Sequence, residues 1–541
     1  MKWWGWGEAE AHAPAVPPDA AAMLREELGL PERHVAPVTL EQVRLPKPQL
    51  PDHVLARLTE IVGEEHVRQD RLARVRHAAG RGYPDLVRLR GGDASAAPDA
   101  VVCPASEREV ADVLTACEAA SAAVVPFGGG TSVVGGVEPL RGPFPAVVSL
   151  DLRRMSRLVD VDRVSLSARI EPGMAGPRLE TLLASRGLTL GHFPQSFEYA
   201  TIGGCVATRS AGQASTGYGR IDELVLGLRC VAPAGEIEAK PLPASAAGPS
   251  LRELLMGSEG VLGVITEATL VLRPLPQERR YEGWSFHSFE EGCAAFRTLE
   301  QEHASPDVAR LSDEEETRLT LALASSGSAA ERAGRAYLRV RGYEGGCLAI
   351  VGFEGEVDEV AARRSRVRAI LKAGGGLALG ERPGRAWLRG RYAGPYLRDV
   401  LLDRGVLVET LETATTWSHL RELYGAVTDA LRRSLSERGT PPLVMCHVSH
   451  LYPSGASLYF TFLARQEDGG EIDQWRAAKT AASDAIVAHH GTITHHHAVG
   501  RDHVPWMRAE VGDLGLELLR AAKERLDPHG IMNPGKLLPE A

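Results

Sequence analysis

The spacing of apolar and polar positions changes character near residue 100. Before that point, Pro46–Pro51 reads as an extended proline-rich piece and Asp52–Val67 carries the apolar spacing of an amphipathic helix. From Ala100 onward, apolar runs alternate with helical periods. Ala100–Pro104 predicts a short strand. Ser106 and Glu109 form a capping box, and Val110, Val113, Leu114 and Cys117 then recur at helical spacing. Ala123–Phe127 predicts a second apolar strand, which makes a βαβ unit running into a glycine-rich loop. Strands are expected at Ala146–Leu152 and Val164–Ile170, and a helix at Pro177–Ser185 stopped by Gly187.

The pattern shifts again at Pro274–Pro276, after which helices mix with alternating strands. Leu458–Leu463 predicts a strand after the turn signal Pro453–Ala456. Ile472–His490 predicts a helix closed by Gly491, and Leu514–Leu526 one closed by Asp527 and Pro528. Ala239–Ser250 reads as a loop insert, and the acidic run at Ser312–Thr317 as a solvated helix start. No internal repeat is present. The expected organisation is a mostly helical N-terminal segment (1–92), a first α/β domain (93–276), a cap domain (277–490) and a C-terminal segment (491–541) that completes the site.

A length of 541 residues exceeds what one hydrophobic core supports. The net charge of -9 argues against a nucleic-acid partner, which demands clustered Lys and Arg. The seven cysteines are scattered with no CxxC pair, so neither a disulfide framework nor a zinc ribbon is expected, and a reducing cytoplasm fits. Met1–Pro18 has no apolar stretch behind a basic one, and the Leu-Pro-Glu-Ala end is not a peroxisomal Ser-Lys-Leu address. The longest stretch free of both charge and histidine, Ala119–Val137, contains Pro126 and several glycines and makes a poor membrane span.

Three segments carry candidate chemistry. In the first, Pro126, Phe127, Gly128, Gly129, Gly130, Thr131, Ser132 and Val133 follow a strand directly. Consecutive glycines let backbone N–H groups turn toward an anion, and Thr131 and Ser132 add hydroxyl donors. No Gly-Lys-Ser/Thr follows, and Val133 stands where a dinucleotide fingerprint has its last glycine. Taken alone, the segment is equally readable as a plain glycine-rich turn. The second comprises Gln195, Ser196, Phe197, Glu198, Tyr199, Ala200 and Thr201, then Thr208, Arg209, Ser210 and Ala211. Its small and hydroxylated residues permit close approach to a flat ring and a diphosphate. The third, Glu259, Gly260, Val261, Leu262, Gly263, Val264 and Ile265, sets close glycines before a β-branched strand.

In this order and spacing the trio resembles the FAD-binding domain of the vanillyl-alcohol oxidase superfamily, over roughly Pro98–Pro276. The resemblance implies an α+β fold, with a PCMH-type FAD-binding domain of two subdomains plus a cap holding an antiparallel sheet flanked by helices. It also implies that the first segment cradles the pyrophosphate while the others line adenosine and flavin. The loop has no linking His or Cys, so non-covalent FAD is expected. Further stretches resemble the alkyldihydroxyacetonephosphate synthases: Met1–Gly7 with its tryptophans, Tyr218–Val225, Tyr396–Asp399, Tyr452–Phe462 and His495–Gly500.

That likeness implies a redox-neutral transferase of ether-lipid synthesis. Through an adduct at flavin N5, it would replace the acyl group of acyl-dihydroxyacetone phosphate with a fatty alkoxy group. Tyr459 matches the acid/base tyrosine, Arg398 an arginine on the substrate phosphate, and Arg310 an arginine serving flavin or substrate. His495, His496 and His497 match a histidine triplet near the head group. Read from the residues alone, Tyr459 is equally a core aromatic of a strand, Arg398 a helix-surface charge and the triplet a polar loop. No carboxylate or thiol neighbours the triplet at a ligand spacing, so no metal is expected. Expected partners are the lipid-like phosphate substrate and a fatty alcohol, with peripheral membrane contact and a homodimer. Asp527–Lys536 looks more like FAD-dependent D-2-hydroxy-acid dehydrogenases or oxidases, the alternative reading, in which the histidines serve as base for hydride transfer.

Overall fold

The computed structural model describes residues 1–8, 15–32, 34–324 and 328–539. The last two residues of the Leu-Pro-Glu-Ala end, and 9–14 of the segment read for a leader, lie outside the described residues. Two sheets build the first half. Strands β1 (Val67–Arg68), β2 (Ala100–Val102), β3 (Ala122–Phe127) and β4 (Ala146–Asp151) lie in the order β1-β2-β4-β3, with β2, β4 and β3 parallel. The crossover helix Glu107–Ala119 starts at the capping box: Ser106 Oγ accepts from the Glu109 N–H at 3.2 Å, and the Glu109 carboxylate accepts from the Ala105 N–H at 2.8 Å. Val110, Val113, Leu114 and Cys117 form its buried face.

The second sheet contains β5 (Leu158–Asp162), β6 (Ser167–Ile170), β8 (Val225–Ala232), β9 (Gly235–Ala239) and β10 (Val264–Val271) in the antiparallel order β5-β6-β10-β8-β9. The short β7 (Leu188–Thr189) pairs with β11 (Arg273–Pro274). In the second half the helix expected from Leu514 begins at Met507, and the acidic run read as solvated is buried at Ser312, Asp313, Glu316 and Thr317, where Glu316 pairs with Arg310 and His447. In the first half two boundaries differ most from the sequence expectation. Val164 is 96% exposed and lies in a turn, because Asp162 Oδ1 accepts from the N–H groups of Val164 and Ser165. The helix from Asp52 ends at Val62, where Gly63 takes φ +91°.

Beyond β11 an antiparallel sheet forms the second half. It contains β12 (Glu278–Phe286), β13 (Val308–Ser312), β14 (Cys347–Gly355), β15 (Leu377–Gly380), β16 (Val406–Thr416), β17 (Leu443–Val448), β18 (Leu451–Tyr452) and β19 (Gly455–Arg465). The order is β15-β12-β14-β13-β17-β19-β16, with β18 paired to β19. Leu458, Phe460 and Phe462 alternate onto the face covered by helices Leu420–Glu437 and Glu471–Ala488.

The chain ends tie the halves together. Trp3 and Trp6 are buried, and the Trp6 N–H donates to Asp399 Oδ2 at 2.6 Å. A Cβ on Gly5 would strike the Asp399 carboxylate, so the tryptophans dock only with glycine there. At the other end Ile531 and Met532 join the core of the first sheet, with Met532 bridging Val124.

Candidate functional site

The three glycine-bearing segments meet one another through glycine. A Cβ on Gly128 would collide with Thr201 Oγ1, one on Gly129 with the Tyr199 carbonyl, and one on Gly260 with the Pro126 ring. Thr201 caps the helix Ile202–Ala207 that follows. The Glu259 N–H donates to the Ala207 carbonyl at 3.0 Å. The Glu259 side chain, buried and pushed up to about 7, accepts from the N–H groups of Val499 and Gly500 at 2.9 and 2.7 Å. The C-terminal segment thereby locks onto the third segment.

A cavity of about 390 Å³ opens at this junction, lined by Thr208, Arg209 and Glu259 on one side and by Tyr452, His495 and His496 on the other. Within the described residues, the first segment, His497, Tyr459, Arg310 and Arg398 do not line it.

Strand register assembles the second layer. Tyr459 on β19 stands opposite Glu412 on β16 and His447 on β17, and His447 stands opposite Ser312 on β13. Directly opposed residues share a face, so these side chains form a row across the sheet. The Tyr459 ring stacks on His447 with centroids 4.7 Å apart and lies 6.0 Å from His496 and 5.5 Å from His497. Burial pushes the phenol up to about 12, against a hydrogen bond with Thr410.

Glu412 holds the histidine triplet in place. Its fully buried carboxylate accepts from the backbone N–H groups of His495, His496 and His497 at 2.5, 3.0 and 2.7 Å, and from the Thr494 hydroxyl at 2.7 Å. Burial alone would raise this carboxyl; the surrounding imidazoles, which become positive only in acid where the carboxyl itself titrates, and the hydrogen-bond donors hold it well below the usual range. Burial lowers all three imidazoles, His497 to about 3, so they are neutral at physiological pH. His495 Nε2 lies 2.6 Å from the Tyr452 hydroxyl, and His495 Nδ1 lies 3.0 Å from His496 Nδ1. His450 stacks on His495 at 5.0 Å, and its Nδ1 is buried without a protein partner. Ring nitrogens of His450, His495 and His496 lie within 4.8 Å of one another.

The two predicted arginines lie outside this cluster. Arg310 packs against His447 and donates to Glu316 at 2.7 Å. Burial would raise Glu316, but His447 and Arg310 hold it near 2. Arg398 Nη1 donates to the Arg81 carbonyl at 2.6 Å, and the Arg81 N–H donates to the Ser132 carbonyl at 2.6 Å, which connects Arg398 to the glycine-rich loop. Arg398 Nε has no protein partner.

Sequence reasoning missed Glu412, His447, His450 and Tyr452. Glu412 left one readable trace, the second of two glutamates, after Glu409, in the strand segment Leu407–Thr413.

The residues present fit FAD. Glycines pack the three segments closely, and the adjoining cavity ends at neutral imidazoles. Buried polar atoms around the second segment, His192 Nδ1, Gln213 Oε1 and Thr216 Oγ1, lack protein partners. All seven cysteines are free, and no helix among the described residues is long and apolar enough to cross a membrane.

Residues 98–239 match the FAD binding domain family, and residues 275–537 match the C-terminal domain of FAD linked oxidases. The alkyldihydroxyacetonephosphate synthase of Trypanosoma brucei brucei is 36% identical over 92% of this chain and 82% of its own. That of Dictyostelium discoideum is 33% identical over 100% of this chain and 93% of its own. A solved alkyldihydroxyacetonephosphate synthase structure superposes with a TM-score of 0.86 at 31% identity, covering 99% of both chains. With FAD as its cofactor and with glycine-packed segments, antiparallel cap and seated histidine loop in one framework, the chain belongs to the alkyldihydroxyacetonephosphate synthase family.

Proposed function

We propose that the chain replaces the acyl group of acyl-dihydroxyacetone phosphate with a fatty alkoxy group, forming an ether lipid precursor without net oxidation. The observation that supports this most is the half-buried Tyr459 set among neutral imidazoles on a loop seated by Glu412. Such an exchange needs a proton removed and later returned, and no electron acceptor. When bound, FAD supplies the nucleophilic ring nitrogen for the exchange. Tyr459, protonated at rest, gives its phenolic proton in the exchange and takes one back at the same oxygen. His447, stacked on the ring and held by Arg310 and Glu316, fixes the orientation of that oxygen. Arg398, with its free Nε, binds the substrate phosphate. On this reading residues 93–276 hold the cofactor, 277–490 the substrate, and 491–541 close the site. The substrate's lipid chain brings the enzyme into peripheral contact with a membrane.

Purified protein given acyl-dihydroxyacetone phosphate and a fatty alcohol should release fatty acid and form the ether product with no acceptor present. Rapid dye reduction by D-lactate or another D-2-hydroxy acid, with no ether product, would instead establish the dehydrogenase reading. The FAD is held without a covalent bond, since neither His nor Cys stands in the glycine-rich loop. Acid precipitation should therefore leave a colourless pellet and all the flavin in the supernatant; a yellow pellet contradicts this.

A further inference from the structure

Tyr452 pairs with Gly455 through its backbone, while its hydroxyl forms a short contact in the site. It sits on the two-residue strand β18, half-buried, and lines the 390 Å³ cavity together with Arg220, His495 and His496. Its hydroxyl is 2.6 Å from His495 Nε2, and His495 Nδ1 is 3.0 Å from His496 Nδ1. The His496 ring in turn faces Tyr459, its centroid 6.0 Å away. The three groups therefore form an unbroken hydrogen-bonded line from the cavity to the neighbourhood of the acid/base tyrosine.

We propose that Tyr452, His495 and His496 form a reversible proton relay in which Tyr452 is the positioning residue that sets the tautomer of both imidazoles. This rests on the exchange reaction proposed above, whose proton must leave and return.

Between two imidazole Nδ1 atoms at hydrogen-bond distance, one proton is shared, so the tautomer of one ring dictates that of the other. When the Tyr452 hydroxyl donates to His495 Nε2, His495 carries its proton on Nδ1 and donates to His496 Nδ1. His496 then carries its own proton on Nε2. If His496 gives that proton to Tyr459 once the phenol has lost its own, it takes the shared one onto Nδ1, His495 takes the Tyr452 proton onto Nε2, and Tyr452 takes one from a cavity water that regains it from solvent. One proton enters for each that leaves, and no ring need become an imidazolium. The reverse movement restores the first arrangement. Both arrangements require neutral rings, and burial keeps His495 and His496 below their ordinary titration range. Arg220, hydrogen-bonded to Tyr452 and to Asp222, holds the hydroxyl at the cavity wall. Glu412 fixes the backbone of both histidines, so the line does not depend on Tyr452 for its existence, only for its polarity.

Tyr452→Phe in the FAD-loaded full chain tests this. The variant should keep its flavin and melting temperature, keep KM for acyl-dihydroxyacetone phosphate within about threefold, and lose about 10- to 100-fold in kcat. Its solvent deuterium effect should also change, from a proton inventory curved by several transfers in the wild type to a linear one. A kcat and inventory like those of the wild type would overturn the relay. So would a rise in KM at unchanged kcat, which makes Tyr452 a substrate contact. Selective ¹⁵N labelling of histidine in the flavin-loaded protein reads the tautomers without turnover. Tyr452→Phe should alter the protonation pattern of both His495 and His496; a change confined to His495 also overturns the relay. Should the wild type form no ether product, the proposed reaction falls, and the labelling result alone decides the relay.

Discussion

Tyr459→Phe should lower turnover by about a hundred- to ten-thousand-fold while FAD stays bound, a loss of about 3 to 5 kcal/mol in transition-state stabilisation. The substitution keeps the ring, so the stack on His447 at 4.7 Å and the approach to His496 and His497 should survive. What is lost is a hydroxyl that burial holds protonated up to about 12. On the proposed mechanism a phenol so held serves first as an acid, with His447 stacked on its ring and the His496 and His497 rings beside it. A tyrosine serving only as core would predict another result: near-normal turnover and a stability loss of about 1 kcal/mol from one hydrogen bond. Turnover, flavin content and melting temperature of this one variant separate the two, and full activity with lowered stability removes Tyr459 from the chemistry.

Glu412→Gln should both destabilise the protein and inactivate it. The carboxylate receives four donors, the N–H groups of His495, His496 and His497 and the Thr494 hydroxyl. An amide offers one oxygen and turns two N–H groups toward those donors, leaving buried donors unmet at about 1 to 3 kcal/mol each. A total loss of about 3 to 5 kcal/mol is expected, comparable to breaking a buried ionic contact. With the loop unseated, turnover should fall by at least about a hundredfold. The pH dependence has a definite sign. Glu412 is held well below its ordinary value, so its stabilising contribution is complete above the unfolded carboxyl range, about pH 4.3, and is lost as pH falls toward the folded value. Urea unfolding of the wild type should therefore lose stability between about pH 4 and lower pH, and the glutamine variant should lose less over the same window. Wild-type stability and turnover in the variant would show that the loop is seated by something else.

Much of the framework was legible along the chain because its signals are local. The capping box at Ser106, the apolar run ending at Phe127 and the helix closed near Gly491 depend on a few neighbouring residues, and the structure has them within a few positions. Val164 failed as a strand position because a single Asp162 side chain captured its N–H, a competition that apolar spacing does not register. The three glycine-bearing segments were legible as a set, since the need for close backbone approach leaves glycine as a mark in the sequence; which segments they approach was not.

The site divides along the same line. The sequence by itself determined which chemical groups were available: a histidine triplet, a tyrosine on a strand and arginines in recognisable settings. Only the tertiary structure decided how they meet. Glu412 lies 83 residues before His495, and what joins them is the register of β16 on β19 together with the C-terminal segment returning along the sheet edge. Tyr452 reaches His495 across 43 residues, and His447 meets Tyr459 only because β17 pairs with β19 at that register. Register is set by burial over a whole sheet face, and a slip of one residue would turn every one of these side chains to the other side. No local pattern encodes that choice, so the row of Glu412, Tyr459 and His447 exists only in the folded chain.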